Sequence, residues 1–320
     1  MSVVVIGDAN VDLEVTIPSQ QGHDLQDNPE PRLFGGGSAA NTAAALARLG
    51  VACRFAGTLG DDLYGRFAVA DLAVAGVNTH AVTMATSDPT VMVIAVIQPD
   101  GERLIYVWPP TGGAHGALST EAAVAAVVGA TWLHVSGICL RVSPAGEALL
   151  AAMARAQAAG VPVSFDLNLR LENWGWDDGF RDTVMAAVDH ADVVIGGGVD
   201  EIGMLAGLRD PVQAARSLTY DERLVIARLG PDGAVACSSN GDVAVPGFVV
   251  DVIDTVGAGD AFNAGFIAAR LSDQSVTEAL RWGNAVAALT ITQPGARSTP
   301  TIDELEAFLQ QTSNGRHTDR

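Results

Sequence analysis

Short runs rich in β-branched residues alternate along the chain with longer Ala- and Leu-rich stretches in which apolar positions recur at helical spacing. Residues 3–6, 53–56, 132–135, 163–165, 193–195 and 224–227 read as strands, and residues 38–49, 63–75, 145–159 and 183–190 read as helices between them. This alternation predicts an α/β fold, a central mainly parallel sheet flanked by helices. Gly50, Gly76 and Gly160 each follow a helical stretch and precede a strand, as C-terminal caps do, and carry no functional claim. Two segments break the rhythm. Residues 13–17, and residues 91–97 followed by 103–108 across the turn Pro99-Asp100-Gly101, have no helix between them and predict a small antiparallel sheet outside the main one. Its strands fall within about 11–34 and 88–109. Such an appendage covers a cleft as a lid, joins two copies of the chain, or is a plain surface hairpin. One domain is expected over residues 1–312, with residues 313–320 as a flexible tail.

With 320 residues, 48% of them hydrophobic, the chain has ample material for a buried core. Its net charge of −19 is opposite in sign to what a phosphate backbone or an anionic lipid surface attracts, so neither nucleic acid nor membrane is an expected partner. The uncharged stretch 122–140 is interrupted by Gly129, His134, Ser136 and Gly137, which argues against a membrane span. All 18 basic side chains counted as Lys or Arg are Arg. The missing Lys excludes a Walker A loop, a protein-kinase strand lysine and Schiff-base chemistry, leaving Arg, backbone N–H groups and metal to handle any phosphate. Cys53, Cys139 and Cys237 are odd in number and widely spaced, which predicts neither a disulfide framework nor a zinc site and suits a reducing cytoplasm. Residue 1 leads directly into the first strand, without the basic and apolar signature of export.

The segment Asp254-Thr255-Val256-Gly257-Ala258-Gly259-Asp260 runs straight into the helical stretch 261–271. Glycines at a helix start let backbone N–H groups converge where the helix dipole also favours negative charge, so Gly257, Ala258 and Gly259 form a candidate anion site. Asp260 then either complements the dipole or takes a proton from a hydroxyl that attacks a phosphoryl group held there. The segment Asp254 to Phe262 resembles the C-terminal signature of the ribokinase-like, PfkB-type carbohydrate kinases. Gly35-Gly36-Gly37-Ser38-Ala39-Ala40-Asn41, with Ala43 and Leu49-Gly50, is similar to that family's N-terminal signature. The likeness spans residues 7 to about 295. It implies an ATP- and Mg2+-dependent kinase in which Asp260 is the base, Asp12, Gly36, Gly37 and Asn41 bind the sugar, and Asp254 lies near a monovalent cation such as K+. A competing motif, Gly35-x-Gly37-x-x-Ala40, fits a dinucleotide fingerprint, but the preceding residues 29–34 form a Pro-broken polar stretch where that motif needs a buried strand.

The stretch 224–234 resembles the family's strand and glycine turn beneath the nucleotide, which places Gly230 and Gly233 under phosphates or ribose and lets Arg228 reach a phosphate oxygen. Asn284 matches a position beside the adenine. One departure stands out: Gly198 replaces the Asn of the family's Asn-x-x-Glu, while Glu201, implied to order Mg2+ through water, is kept. Asp166-Leu167-Asn168-Leu169-Arg170, with Trp174 after it, resembles the pattern of 2-keto-3-deoxygluconate kinases and fructokinases. Arg170 then pairs with a substrate carboxylate, contacts nucleotide phosphate, or bridges to Asp166. The expected activity is transfer of the γ-phosphoryl group to a hydroxyl of a small ketose or keto-deoxy sugar acid, in an enzyme that forms a homodimer through its lid. A nucleoside or other small-molecule kinase of the same fold, and a sugar- or nucleotide-binding regulator with weak turnover, are the alternatives.

Overall fold

The computed structural model describes residues 2–18, 29–100, 102–110, 112–171 and 175–315, the last three of these as backbone; Trp174 and residues 316–320 of the expected tail lie outside the described residues. Among the described residues, thirteen strands make two sheets. The larger contains β1 (Val3–Ile6), β4 (Cys53–Gly60), β5 (Asn78–Ala85), β8 (Trp132–Ser136), β9 (Val163–Asp166), β10 (Val193–Gly197), β11 (Leu224–Arg228), β12 (Ala234–Ser238) and β13 (Gly241–Val245), in the order β13-β12-β11-β10-β9-β8-β1-β4-β5. From β11 through β5 every pairing is parallel, and β12 and β13 add an antiparallel edge. Helices cover both faces, as parallel sheets require. Along β1 the alternation is explicit: Val3 and Val5 pack with the helices Ser38–Arg48, Ala258–Leu271 and Val276–Thr290, whereas Val4 and Ile6 pack with Ala145–Ala158 and Asp178–Asp189. Asp62, Ser119, Asp177, Asp210 and Ser275 cap five helices through their own side chains.

The smaller sheet has the order β3-β2-β6-β7, from β2 (Asn10–Thr16), β3 (Arg32–Gly36), β6 (Met92–Ile97) and β7 (Arg103–Trp108). It is separate and antiparallel in its two outer pairs, while β2 and β6 run parallel at its centre. That central pair forms because both strands leave the main domain in the same direction. β3 corrects the expectation for residues 29–34: Pro29 and Pro31 precede the strand without breaking it. The case against a dinucleotide fold therefore rests on a different fact, that β3 is an edge strand of the small antiparallel sheet and not a buried parallel one. β5, β12 and β13 escaped the β-branched pattern because β5 carries Asn, Thr and His at a sheet edge and the other two are built largely of Ala, Gly and Asp. No helix among the described residues is long and apolar enough to cross a membrane, and residues 122–140 hold a short helix and β8.

Gly233, expected beneath a nucleotide, has a role in the chain itself. With φ at 96° it turns β11 into β12, and a Cβ there would collide with the Val245 carbonyl and lie 2.5 Å from the Gly247 nitrogen. Gly233→Ala should therefore lower stability by at least ~2 kcal/mol, through both the left-handed backbone and the overpacking. A melting midpoint within a degree of wild type would contradict this.

Candidate functional site

Two helix starts meet at Asp260. Asp8, just past β1, accepts hydrogen bonds from the backbone N–H groups of Ser38 (2.8 Å) and Ala39 (3.2 Å) and so fixes the start of Ser38–Arg48. Gly37 lets this helix approach, since a Cβ there would sit 2.6 Å from the Ala9 Cα. Ser38 Oγ then donates to Asp260 Oδ1 at 2.5 Å, and Asn41 Nδ2 donates to Oδ2 at 3.0 Å. Burial pushes the Asp260 carboxyl up to about 7; the hydrogen bonds from Ser38 and Asn41 oppose this, and the nearby charges of Asp166 and Asp8 add to it.

Asp12 lies in the middle of β2, not in a turn, and Asn10 Nδ2 donates to its Oδ1 at 2.7 Å. Burial raises its carboxyl to about 6, against the Asn10 hydrogen bond and the charge of Arg297. A Cβ at Gly36 would come within 2.6 Å of Asp12 Oδ2, so only glycine leaves that oxygen open. Gly37, Ser38, Asn41 and Asp260 line a cavity of about 1110 Å3 whose other wall is formed by the small sheet, including Asp12, Leu33, Val93, Ala95, Ile105 and Val107. The strands of the small sheet thus face the site.

A second cavity, about 430 Å3, adjoins the first and is lined by Asp166, Asn168, Arg170, Glu201, Arg228 and the segment Thr255 to Asp260. The helix Ala258–Leu271 begins here at Gly257, with φ at 80°, and no side chain caps it. Gly257, Ala258, Gly259 and Asp260 all line the cavity, which places an uncapped helix start at its wall, with the Ala258 N–H alone turned back to the Thr255 carbonyl. Arg228 is pinned beside it: Nη2 donates to Asp166 Oδ1 at 2.8 Å, Nη1 to Asp166 Oδ2 at 3.2 Å and to Asn263 Oδ1 at 3.3 Å. Burial works against its charge, but Asp166 and Glu201 outweigh that and hold the guanidinium above its usual range. Arg170 does not bridge to Asp166, which is taken by Arg228 and Asn263. It is exposed, with φ at 46°, lines both cavities, and makes no hydrogen bond or ion pair among the described residues.

Glu201 accepts from the Leu169 and Gly197 backbone N–H groups at 2.8 and 2.6 Å, and burial followed by the charge of Asp166 raises its carboxyl. With one lone pair on each oxygen already used, it suits a metal held through water more than direct ligation. Gly198 explains its own identity, because a Cβ would stand 2.9 Å from Leu229 Cδ2 and 3.0 Å from Pro211 Cβ. Asp254 accepts from the Val256 and Gly295 backbone N–H groups and from Arg103 Nη1 at 3.3 Å, so a monovalent cation on this carboxylate would have to displace Arg103. No cluster of three or more His, Cys, Asp or Glu that could hold a metal occurs among the described residues. Neither Gly230 nor Gly233 lines the two cavities, and Asn284 spends its Nδ2 on the carbonyls of Val245 and Pro246 at 3.1 and 3.2 Å.

Sequence reasoning gave no site role to Asp8, Ser38, Asp166, Asn263 or Arg297. Asn263 was within reach of it, lying one helical turn after Asp260. Arg297 had no local signal at all: it follows an irregular segment and enters the site only through the fold, with Nε donating to Asn41 Oδ1 at 3.1 Å.

Comparison with known proteins agrees with this geometry. The family model for pfkB family carbohydrate kinases matches residues 1–303. An ATP-dependent ribose-1-phosphate kinase from Halopiger xanaduensis is 36% identical over 281 residues, 88% of each chain. A fructokinase double mutant from Vibrio cholerae O395, solved with fructose, ADP and potassium, superposes with a TM-score of 0.80 at 32% identity, covering 96% of this chain and 98% of its own. A solved Escherichia coli relative with ATP and Mg2+ has a TM-score of 0.83 at 25% identity, covering 97% of this chain and 99% of its own. With one family model spanning nearly the whole sequence and the same fold in relatives that carry nucleotide, the chain belongs to the pfkB family of carbohydrate kinases.

Proposed function

We propose that the protein transfers the γ-phosphoryl group of ATP to a hydroxyl of a small sugar, with Asp260 as the general base. The observation that carries this is that Asp260 stands in the wall of both cavities. A hydroxyl in the larger cavity and a phosphoryl group in the smaller one would meet at its carboxylate. Asp12, Asn41 and the backbone at Gly36 and Gly37 hold the sugar hydroxyls, and Ser38 and Asn41 fix the direction of the Asp260 oxygens. As the sugar oxygen attacks the γ-phosphorus its proton passes to Asp260, and ADP leaves. The Ala258 N–H is turned to the Thr255 carbonyl, and the N–H groups of Gly257, Gly259 and Asp260 stabilise the charge of the transferring group. Mg2+ supplies neutralisation of the phosphate oxygens, and Glu201, through water, would help to hold it. Arg228, set by Asp166 at the edge of the smaller cavity, adds positive charge on the phosphate side. Asn284 and the turn Gly230 to Gly233 support the nucleotide indirectly, through the backbone they hold.

The small sheet serves as a lid over the sugar. Its edge strand β7 exposes Leu104, Ile105, Tyr106, Val107 and Trp108, an apolar row suited to pairing with a second copy of the chain. Cys53, Cys139 and Cys237 are buried and unpaired, in keeping with a cytoplasmic enzyme. The acceptor is a keto-sugar or sugar acid. What supports this is Arg170, a cation without a protein partner among the described residues in a chain whose basic side chains are all Arg.

Asp260→Asn should lower kcat by ~10²-fold or more with little change in ATP affinity. The base must be ionised, so kcat/KM should climb as pH rises toward about 7 and level off above it. A profile flat between pH 5 and 8 would remove Asp260 from this role. Stability moves the other way: a carboxyl raised to about 7 favours the folded state when protonated and penalises it once ionised, so Asp260→Asn should raise the melting midpoint at pH 8 more than at pH 5. For Arg170→Ala, KM for 2-keto-3-deoxygluconate should rise by ~10-fold or more while that for fructose changes less, the loss of a charge-assisted hydrogen bond being ~1.5–3 kcal/mol. Equal losses on both substrates would place Arg170 on the nucleotide instead.

A further inference from the structure

We propose that Arg297 is a positioning residue for phosphoryl transfer: by donating to the Asn41 carbonyl oxygen, it obliges that amide to present its NH2 group to Asp260. This rests on the reading of Asp260 as the base. A side-chain amide is nearly symmetric in shape, with an acceptor at one end and donors at the other, so its neighbours decide its orientation. Arg297 offers donors only. Its Nε donates to Asn41 Oδ1 at 3.1 Å, and the opposite end of the same amide, Nδ2, donates to Asp260 Oδ2 at 3.0 Å. Flipping the amide would set N–H against guanidinium and oxygen against carboxylate in one step. Both contacts disfavour it.

The guanidinium is itself held in place. Nη1 donates to Asp71 on the helix Leu63–Val74, and Nη2 donates to the Gly36 carbonyl at 3.1 Å. Each of its nitrogens is therefore engaged by protein, which separates Arg297 from Arg170 although both line the larger cavity. Gly35 accommodates the arrangement, since a Cβ there would collide with both the Arg297 guanidinium and the Asp71 carboxylate. The path Asp71–Arg297–Asn41–Asp260 thus runs from a helix of the main domain to the reacting carboxylate, passing the sugar-binding backbone at Gly36.

Several other charged groups surround Asp260, and the titration has to be read against them. Asp8 follows β1, Asp166 ends β9 and Arg228 ends β11. Asp12 and Glu14 of β2, Arg103 of β7, and Asp71, His115, Arg170 and Asp254 share the cavity wall. None of these hydrogen-bonds Asn41 among the described residues, whereas Arg297 does. Its removal withdraws a positive charge and frees the amide, and both changes favour the protonated form of Asp260.

The test is a carboxyl titration of the protein without substrates, by 13C NMR on Asp-labelled wild type, Arg297→Met, Arg297→Lys and Asp71→Asn, with the Asp260 resonance identified by its absence in Asp260→Asn. The Asp260 midpoint should rise by ~1 unit or more in Arg297→Met, and by less in Asp71→Asn and in Arg297→Lys, which keeps the charge but loses the fork. In parallel, kcat/KM for Arg297→Met should fall ~10-fold at pH 7 and recover toward pH 9, with KM for ATP unchanged. An unmoved midpoint in folded Arg297→Met, or a rate loss equal at every pH, would overturn the proposal. Should Arg297→Met fail to fold, Asp71→Asn decides by the same two readouts. A midpoint that moves while the rate profile stays put would uphold the positioning of Asp260 and overturn its role as base, so the two ideas fail separately.

Discussion

Withdrawing the Asp260 carboxylate from water is the constraint from which the local architecture follows. A half-buried carboxylate drifts toward its neutral form unless donors are aimed at it, and two are: a hydroxyl from Ser38 and an amide from Asn41. Both come from the first turn of one helix, while Asp260 itself sits in the first turn of another. Two helix N-termini must therefore meet tip to tip, which ordinary side chains at the junction would prevent. Gly37 and Gly257, both with positive φ and both with backbone of a neighbouring segment where a Cβ would be, make that approach possible. Asp8 then takes up the N–H groups of one helix, and the other is left uncapped toward the smaller cavity.

An acidic chain whose basic residues are all Arg distributes its few cations with care around this centre. Arg228 is held by Asp166 and lies 3.6 Å from Glu201, Arg297 is held by Asp71, and Arg103 lies 3.3 Å from Asp254. In each pair the guanidinium is oriented before any ligand arrives, and its planar fork is suited to such two-sided contacts. Arg170 differs in having no such partner among the described residues while bordering both cavities.

The α/β alternation and the glycine-bounded helix start around Asp260 were legible because each is written in contiguous residues: apolar runs buried on both faces, and Gly257 through Asp260 in one turn. What was not legible depends on contacts across the chain. β3 hides behind two prolines that lie outside it, and β12 and β13 are held by their neighbours more than by their own propensity. The same holds within the site. Asp166 and Arg228 are 62 positions apart, and Arg297 and Asn41 are 256 apart, so no local pattern links them. Gly233 carries a constraint the sequence does not show, since the Val245 carbonyl lies where its side chain would be.

The small sheet is tied by an ion pair to the segment that leads into the smaller cavity. Arg103, the first residue of β7, reaches Asp254, and Asp254 is also the acceptor for the Val256 and Gly295 N–H groups. Val256 leads into the uncapped helix start, and Gly295 lies two residues before Arg297. One carboxylate therefore joins the sheet over the sugar cavity to both segments that shape Asp260: the one that carries it and the one that orients Asn41. An exposed ion pair contributes little to stability. Its importance here is geometric: Asp254 takes one side-chain donor from β7 and two backbone donors from the loops around it, so the three segments meet at one carboxylate. The larger and the smaller cavity are in this way joined through one carboxylate without sharing a strand.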